Sequence, residues 1–287
     1  MNMICNVNFK KLFLVFTASL FLGLFSPFSR IYAQENLKSV LREVAGKIEG
    51  IGEIENNRLL TDEQRGQREA TARKEALGKI FDLTLLEDKD LKNKLNNLEN
   101  LSEDQETARE ILLSIFTENE NAYQEMQKRL AAAKTLEEVK RLAVDFKNWR
   151  NIVYSPKVEK IISFVLVFQQ QKTLAIAQER LAKIKADLEE LENSGLVTKE
   201  DTDNLIQIAE SSLQKAEEIN KQAEKNNIQI INQSLYPQNM ARSLLEIFGF
   251  KNSEPPKALV AKSLGKIKIA YAAFLDISNL VKDKIQK

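Results

Sequence analysis

Proline is absent between Phe28 and Ser155, and again between Lys157 and Tyr236. Proline is the residue that most reliably stops a helix, because it lacks an N–H and strikes the preceding turn. Both runs are filled with Ala, Leu, Glu, Lys and Gln, all strong helix formers. No segment alternates apolar and polar residues between turn signals, as a half-buried strand requires. These features predict an all-α fold.

Helix starts are marked by residue type. Thr61-Asp62-Glu63-Gln64, Ser102-Glu103-Asp104-Gln105 and Thr135-Leu136-Glu137-Glu138 have the spacing of capping boxes. Ser155-Pro156 predicts a fourth start, with proline in the first turn, where no donor is lost. Thr198 before Lys199-Glu200-Asp201 predicts a fifth. The expected helices are 36–58, 62–86, 103–132, 136–153, 156–193, 199–234, 238–248 and 257–285, with a short helical piece over 89–99.

Two stretches carry regular apolar seams. Leu174, Ala177, Leu181, Ile184, Leu188 and Leu191 keep 3-4 spacing, and Ile206, Ala209, Leu213 and Ala216 resume it after Ser194-Gly195. The short turn between them forces antiparallel neighbours. The chain is therefore expected to be a helical bundle with a long antiparallel coiled-coil-like hairpin, about 156–193 and 199–234. Its first arm would be about 55 Å long at 1.5 Å per residue. The base of that arm, Ile161 to Phe168, is apolar on nearly all sides and is expected at the centre of the core, with the tip near solvent. Leu166 is thus expected to be deeply buried and Leu188 near water. The second seam, Val260, Leu264, Ile267, Tyr271, Phe274, Ser278, Val281 and Ile285, lapses only at Ser278. Residues 257–287 carry seven Lys and two Asp, and Pro255-Pro256 precede them. This last helix is expected to dock late, or on something else.

At the N-terminus, Lys10 and Lys11 precede an uncharged, mostly apolar run, Leu12 to Phe25, followed by Pro27 and Ile31-Tyr32-Ala33. A basic region, an apolar region and a small residue at the cut predict a signal peptide over 1–33, cleaved between Ala33 and Gln34. The run is shorter than the ~20 apolar residues of a spanning helix. Arg30 beyond it also opposes retention as an anchor. The expected regions are then an N-terminal helical region, 34–154, a long hairpin and short helix, 155–250, and a linker with an amphipathic helix, 251–287. The protein is expected to work outside the cytoplasm, with no transmembrane segment after cleavage.

Loss of Lys10, Lys11 and Arg30 from the 42 basic residues leaves 39 against 41 acidic ones. This balance argues against nucleic acid as a partner, because phosphates call for a basic stripe. The only cysteine, Cys5, leaves with the leader, and the chain has no histidine. That removes Ser-His-Asp and Cys-His nucleophiles, His- or Cys-ligated zinc, and c-type haem. Carboxylate chemistry survives, or none. No catalytic residue, cofactor or metal is expected.

Several patterns invite a functional reading. Leu60-Thr61-Asp62-Glu63-Gln64 and Leu101-Ser102-Glu103-Asp104-Gln105 both match L-[TS]-x-x-Q. With Arg65-Gly66-Gln67-Arg68-Glu69, the first copy resembles the LTxxQ motif of periplasmic stress chaperones, which are small exported helical proteins. The resemblance is confined to these two stretches, and the second has Ser for Thr. It implies a holdase-like binding module, whereas the residues themselves are those of helix caps. Gly46, Gly50 and Gly52 predict a kink or weak point in the first helix. Asp88, Asp90 and Glu99 stand at calcium-loop positions one, three and twelve, but Lys92 and Asn93 occupy the positions that need a ligand and a glycine. That favours a solvated inter-helix segment. Glu189, Glu190 and Glu192 near the tip are candidates for a carboxylate pair that hydrolyses wall glycans, in an environment too open for it.

Phe146, Trp149 and Val153 share a helix face, with Tyr154 just before the Ser155-Pro156 corner. Aromatic residues so spaced are usually core, and Trp149 and Tyr154 are the candidates for a surface platform. Lys266 and Lys268 on the basic C-terminal helix are the other candidate contacts, suited to anionic polymers or headgroups. The sequence thus points to an exported, non-enzymatic helical protein with a structural or interaction role at the cell envelope. Its partner would be a protein or an envelope polymer.

Overall fold

The computed structural model describes residues 35–233 and 254–285. The helix expected at 238–248, and Ala33 and Gln34 at the expected cut, lie outside the described residues. Among the described residues the structure is helical and has no strand. The elements are α1 (Glu35–Asn56), α2 (Asp62–Asn96), α3 (Glu103–Ala132), α4 (Leu136–Trp149), a π-helical turn (Arg150–Tyr154), α5 (Ser155–Asn193), α6 (Lys199–Gln233) and α7 (Pro256–Ile285).

Three starts are closed by the boxes legible in the sequence. The Thr61 N–H donates to Gln64 Oε1 and the Gln64 N–H to Thr61 Oγ1, both at 3.2 Å. Ser102 and Gln105 do the same at 2.7 and 3.4 Å, and Thr135 and Glu138 at 3.0 and 3.2 Å. Each box satisfies two donors that a helix end otherwise leaves unpaired. The Glu138 carboxylate also accepts from the Lys134 N–H at 2.7 Å, and this bond and the Thr135 bonds hold its pKa below the usual range. Thr198 differs from the others. Its hydroxyl donates to Asp201 Oδ2 at 2.7 Å, and its N–H reaches the same oxygen at 3.1 Å.

Contacts divide the described residues into two compact units, 35–88 with 123–145, and 89–122 with 146–233 and 254–285. This grouping cuts through helices, whereas the regions read from the sequence are stretches of chain. In the first unit, Val44 and Ile51 of α1, Leu77, Ile80 and Phe81 of α2, and Tyr123, Met126 and Leu130 of α3 are buried. Arg73 bridges Glu69 of its own helix and Glu55 of α1, both at 2.7 Å. Lys74 Nζ donates to the carbonyls of Ala131 and Ala133 at 2.9 and 3.1 Å, closing the C-terminal end of α3. α1 runs through Gly46, Gly50 and Gly52 without interruption.

In the second unit the hairpin forms as expected. Gly195 takes φ +72°, its N–H reaches the Glu192 carbonyl at 3.0 Å, and the Leu196 N–H reaches the Leu191 carbonyl at 3.1 Å. This is a Schellman stop, and it needs the left-handed backbone that glycine adopts without strain. The base of α5 forms one core: Ile161, Phe164, Val165 and Phe168 pack with Leu95, Leu98, Leu112, Phe116 and Ile231.

α7 docks along the hairpin and makes it a three-helix bundle. Ile267, Ala270, Ala273 and Phe274 share a core with Leu174, Ala177 and Leu181 of α5 and Ala209, Leu213 and Ala216 of α6. Gln170 Nε2 donates to Ser263 Oγ at 3.2 Å, and Ser263 Oγ donates to the Ala216 carbonyl at 2.7 Å. That chain of bonds ties all three helices at one level. Seven residues toward the tip, Ala177, Ala209 and Ala270 fall at one level, all fully buried. An isoleucine precedes each of them, and Ile176, Ile208 and Ile269 are partly exposed around the same level.

Four expectations are corrected. The buried stripe of α7 is Val260, Ser263, Ile267, Ala270, Phe274 and Ile277. Ser263 and Ala270 replace the expected Leu264 and Tyr271, because packing against the alanines of α6 favours small side chains, and Ile277 on the same face replaces Ser278. Ser278 is exposed, so the lapse disappears. Second, the helices expected at 62–86 and 89–99 are one, running to Asn96. Third, α7 covers the hairpin, so Leu188 is buried while Leu166 is only partly buried. Fourth, the expected corner at Ser155-Pro156 is a π-helical turn in continuous helical backbone.

The alanine layer sets a steric test. Ala209→Leu forces three extra heavy atoms into a fully buried site and should cost about 1–3 kcal/mol in denaturant unfolding. Substitution of Leu188 by Asp should destabilise more than Leu166→Asp, because only the former buries a charge fully.

An acid titration offers a second test. Lys284 donates to Asp201 Oδ2 at 2.8 Å. That bond first, then those from Thr198, lowers the Asp201 pKa from 3.8 to about 2. A carboxyl depressed on folding contributes stability that is full above its ordinary pKa of 3.8 and lost as pH falls through about 2. Lys284→Met should move the midpoint of the Asp201 carboxyl, followed by NMR, back up toward the ordinary value.

Candidate interaction surface

Phe146, Arg150, Tyr154 and Val158 are buried at intervals of four residues. A regular helix advances 3.6 residues per turn, so a stripe of fours drifts around its surface. The widened π turn removes the drift. The Ser155 N–H reaches back to the Arg150 carbonyl, five residues earlier. Pro156 supplies the reason: it has no N–H, and its ring would strike the carbonyl four residues before it in a regular helix. A π turn widens the backbone at that point.

Packing holds this turn. Tyr154 is 1% exposed, its ring lies 5.4 Å from that of Trp149, and Phe146 stacks on Trp149 at 5.9 Å. The Arg150 guanidinium carbon sits 4.9 Å from the Tyr154 ring centre, a cation–π contact in a buried place. Nearby, Lys157 pairs with Glu118, and burial first, then the like charge of Lys157, lowers the Lys160 pKa.

The turn leaves an apolar edge outside. Ile152 is 73% exposed and Val153 37%, Pro156 is exposed, and Trp149 is half-buried beside them. Val153 was expected on the buried face with Phe146 and Trp149. The extra residue in the turn rotates it to solvent and brings Tyr154 inward. Of the two aromatic candidates, Trp149 therefore borders the surface and Tyr154 is scaffold. The sequence signal for this was the spacing of four through Phe146, Arg150, Tyr154 and Val158, obscured by an arginine inside the stripe.

Lys266 and Lys268 do not join this edge. Lys266 is half-buried and Lys268 exposed on α7. Ser263 lies level with Gln170, so Tyr154 is about 24 Å further down α5. The candidates are two separate places, an apolar edge and part of a basic helix face.

The remaining motifs resolve into local structure. Both L-[TS]-x-x-Q copies are closed capping boxes. In each, a following arginine reaches back to a carbonyl, Arg65 to Leu60 at 3.1 Å and Arg109 to Leu98 at 3.2 Å. Gln105 also donates to Glu224 of α6, which accepts from Gln171 of α5 at 2.8 Å. Asp88 and Asp90 lie inside α2, not in a solvated loop; Asp88 is buried and Asp90 pairs with Lys94 at 2.5 Å. A helical backbone has no sharp turn to wrap calcium. Glu189 and Glu190 are exposed, while Glu192 accepts from the Thr202 hydroxyl at 3.5 Å. Among the described residues, no group of three or more acidic, His or Cys side chains is placed to hold a metal. No helix among them is long and apolar enough to cross a membrane.

Ile152→Asp should leave stability within about 0.5 kcal/mol, as surface changes do. Tyr154→Ala should cost about 3–5 kcal/mol by emptying an aromatic-sized site. Paired denaturant titrations check the division between edge and scaffold.

No family model, curated protein or solved structure matches this chain.

Proposed function

We propose that this is an exported, non-enzymatic helical protein that acts through protein interaction at the cell envelope. The observation that carries the interaction reading is the apolar edge of Trp149, Ile152, Val153 and Pro156. Contiguous apolar side chains held outside by a rigid scaffold are what binding surfaces present. π turns inside α-helices also recur at functional positions. Export is supported by the leader-like residues 1–33, and a role without catalysis by the lack of histidine and of cysteine beyond Cys5. The partner class is a protein or an envelope polymer.

A photo-crosslinking residue at position 152, used on intact cells, tests this reading. A discrete adduct is expected, together with its loss when Val153→Asp is added. An adduct pattern no different from that of a label at exposed Lys268 would remove the edge as the contact. The holdase-like alternative rests on the two capping motifs. It requires suppression of client aggregation at near-stoichiometric amounts. The glycan-hydrolase alternative rests on Glu189, Glu190 and Glu192, and requires sugar release that amide substitutions abolish.

A further inference from the structure

We propose that Ser263 is the register lock of α7, a polar latch that selects one axial position for this helix on the hairpin. The large apolar positions of α7 do not select one: the slip that brings Ala270 to the level of Ser263 is opposed by Ile277 entering the alanine layer, but the opposite slip brings only Ser263 there and meets no such bulk. Val260, Ile267, Phe274 and Val281 repeat every seven residues, so a slip of seven, about 10 Å along the axis, lays large apolar side chains where large apolar side chains were. The connection to α6, residues 234–255, is long enough that chain length does not fix the position either. By contrast, α5 and α6 are fixed to each other by the tight Gly195 turn.

Ser263 breaks this degeneracy. It is fully buried, and its hydroxyl both accepts from Gln170 Nε2 of α5 and donates to the Ala216 carbonyl of α6. Gln170 is itself buried, so its amide has no water to turn to. A slip of seven residues in one direction brings Ala270 to this level, and in the other Pro256. Neither carries a hydroxyl, and the buried amide then loses its partner. Loss of a partner for a buried polar group costs more than the bond itself contributes, so the penalty falls on the slipped states. A single buried polar residue setting helix register is the best-attested use of such groups. Two further contacts agree with the same position, Asn226 Nδ2 to the Glu254 carbonyl at 3.1 Å and Lys284 to Asp201 at 2.8 Å. Both lie toward the helix ends; the second is more exposed and weakened by solvent.

Distance measurement in the full chain tests the latch. Spin labels at Lys183→Cys and Asp276→Cys, both exposed sites, are introduced with Cys5→Ser, and pulsed EPR reads their separation. The parent should give one narrow distance. Ser263→Ala should lower Tm and add a second distance consistent with an axial slip of about 10 Å. Gln170→Leu combined with Ser263→Ala removes both polar partners. It should restore Tm to the parent value or above while the second distance persists, because packing is kept and selection is lost. Lys284→Met should keep the single distance. A single parental distance in the Gln170→Leu, Ser263→Ala protein would overturn the proposal, since packing alone would then set the register. A second distance in Lys284→Met alone would overturn it too, by moving the lock to the ion pair.

Discussion

The second unit depends on three alanines meeting at one level. Ala177, Ala209 and Ala270 are completely buried, so the axes of α5, α6 and α7 can approach without a large side chain between them. Close approach in turn brings Ser263 within reach of Gln170 and of the Ala216 carbonyl. It also turns the paired isoleucines Ile176, Ile208 and Ile269 outward, where they flank the thin layer. The chain has no disulfide to hold α7, because its only cysteine is Cys5. Dispersion and burial along this seam, with one polar latch, do that work.

Further down α5 a different constraint governs. Pro156 stands inside continuous helical backbone. A kink is the usual answer to such a proline, but here the backbone widens by one residue. The consequence is a change of face. Upstream and downstream stripes stay buried, joined through Arg150 and Tyr154, while Ile152 and Val153 go to solvent. This exposed apolar edge is therefore a product of backbone geometry around one proline. The aromatic stack of Phe146, Trp149 and Tyr154 keeps that geometry rigid.

Much of the fold was legible because its signals are local. Thr61, Ser102 and Thr135 cap helices because hydroxyl and carboxyl or amide groups three residues apart can reach each other's backbone. Gly195 ends α5 because only a left-handed residue closes that turn. The candidate site was legible only in part. Spacing alone reads both Trp149 and Tyr154 as usual core positions and, alternatively, as a surface platform; the structure buries Tyr154 and leaves Trp149 half-buried beside Ile152 and Val153, which the spacing does not mark as exposed. A pattern of 3.6 assumes that the turn stays α-helical, and the sequence does not announce a wider one.

Sequence by itself determined the helical class, the positions at which most helices start and stop, and the pairing of α5 with α6 across a short turn. It also determined which metal and nucleophile chemistries the chain lacks ligands for. Tertiary structure decided that α7 joins the hairpin, which of its faces is buried, and that Leu188 near the tip lies deeper than Leu166. The physical reason is range. Caps and turns are set by residues within one turn of each other, while burial depends on which distant helix arrives and how closely its side chains let it approach. On α7, Leu264 and Ser263 are neighbours in sequence with opposite polarity. The alanines of α6 favoured the smaller residue, and a carbonyl at the same level gave its hydroxyl a partner.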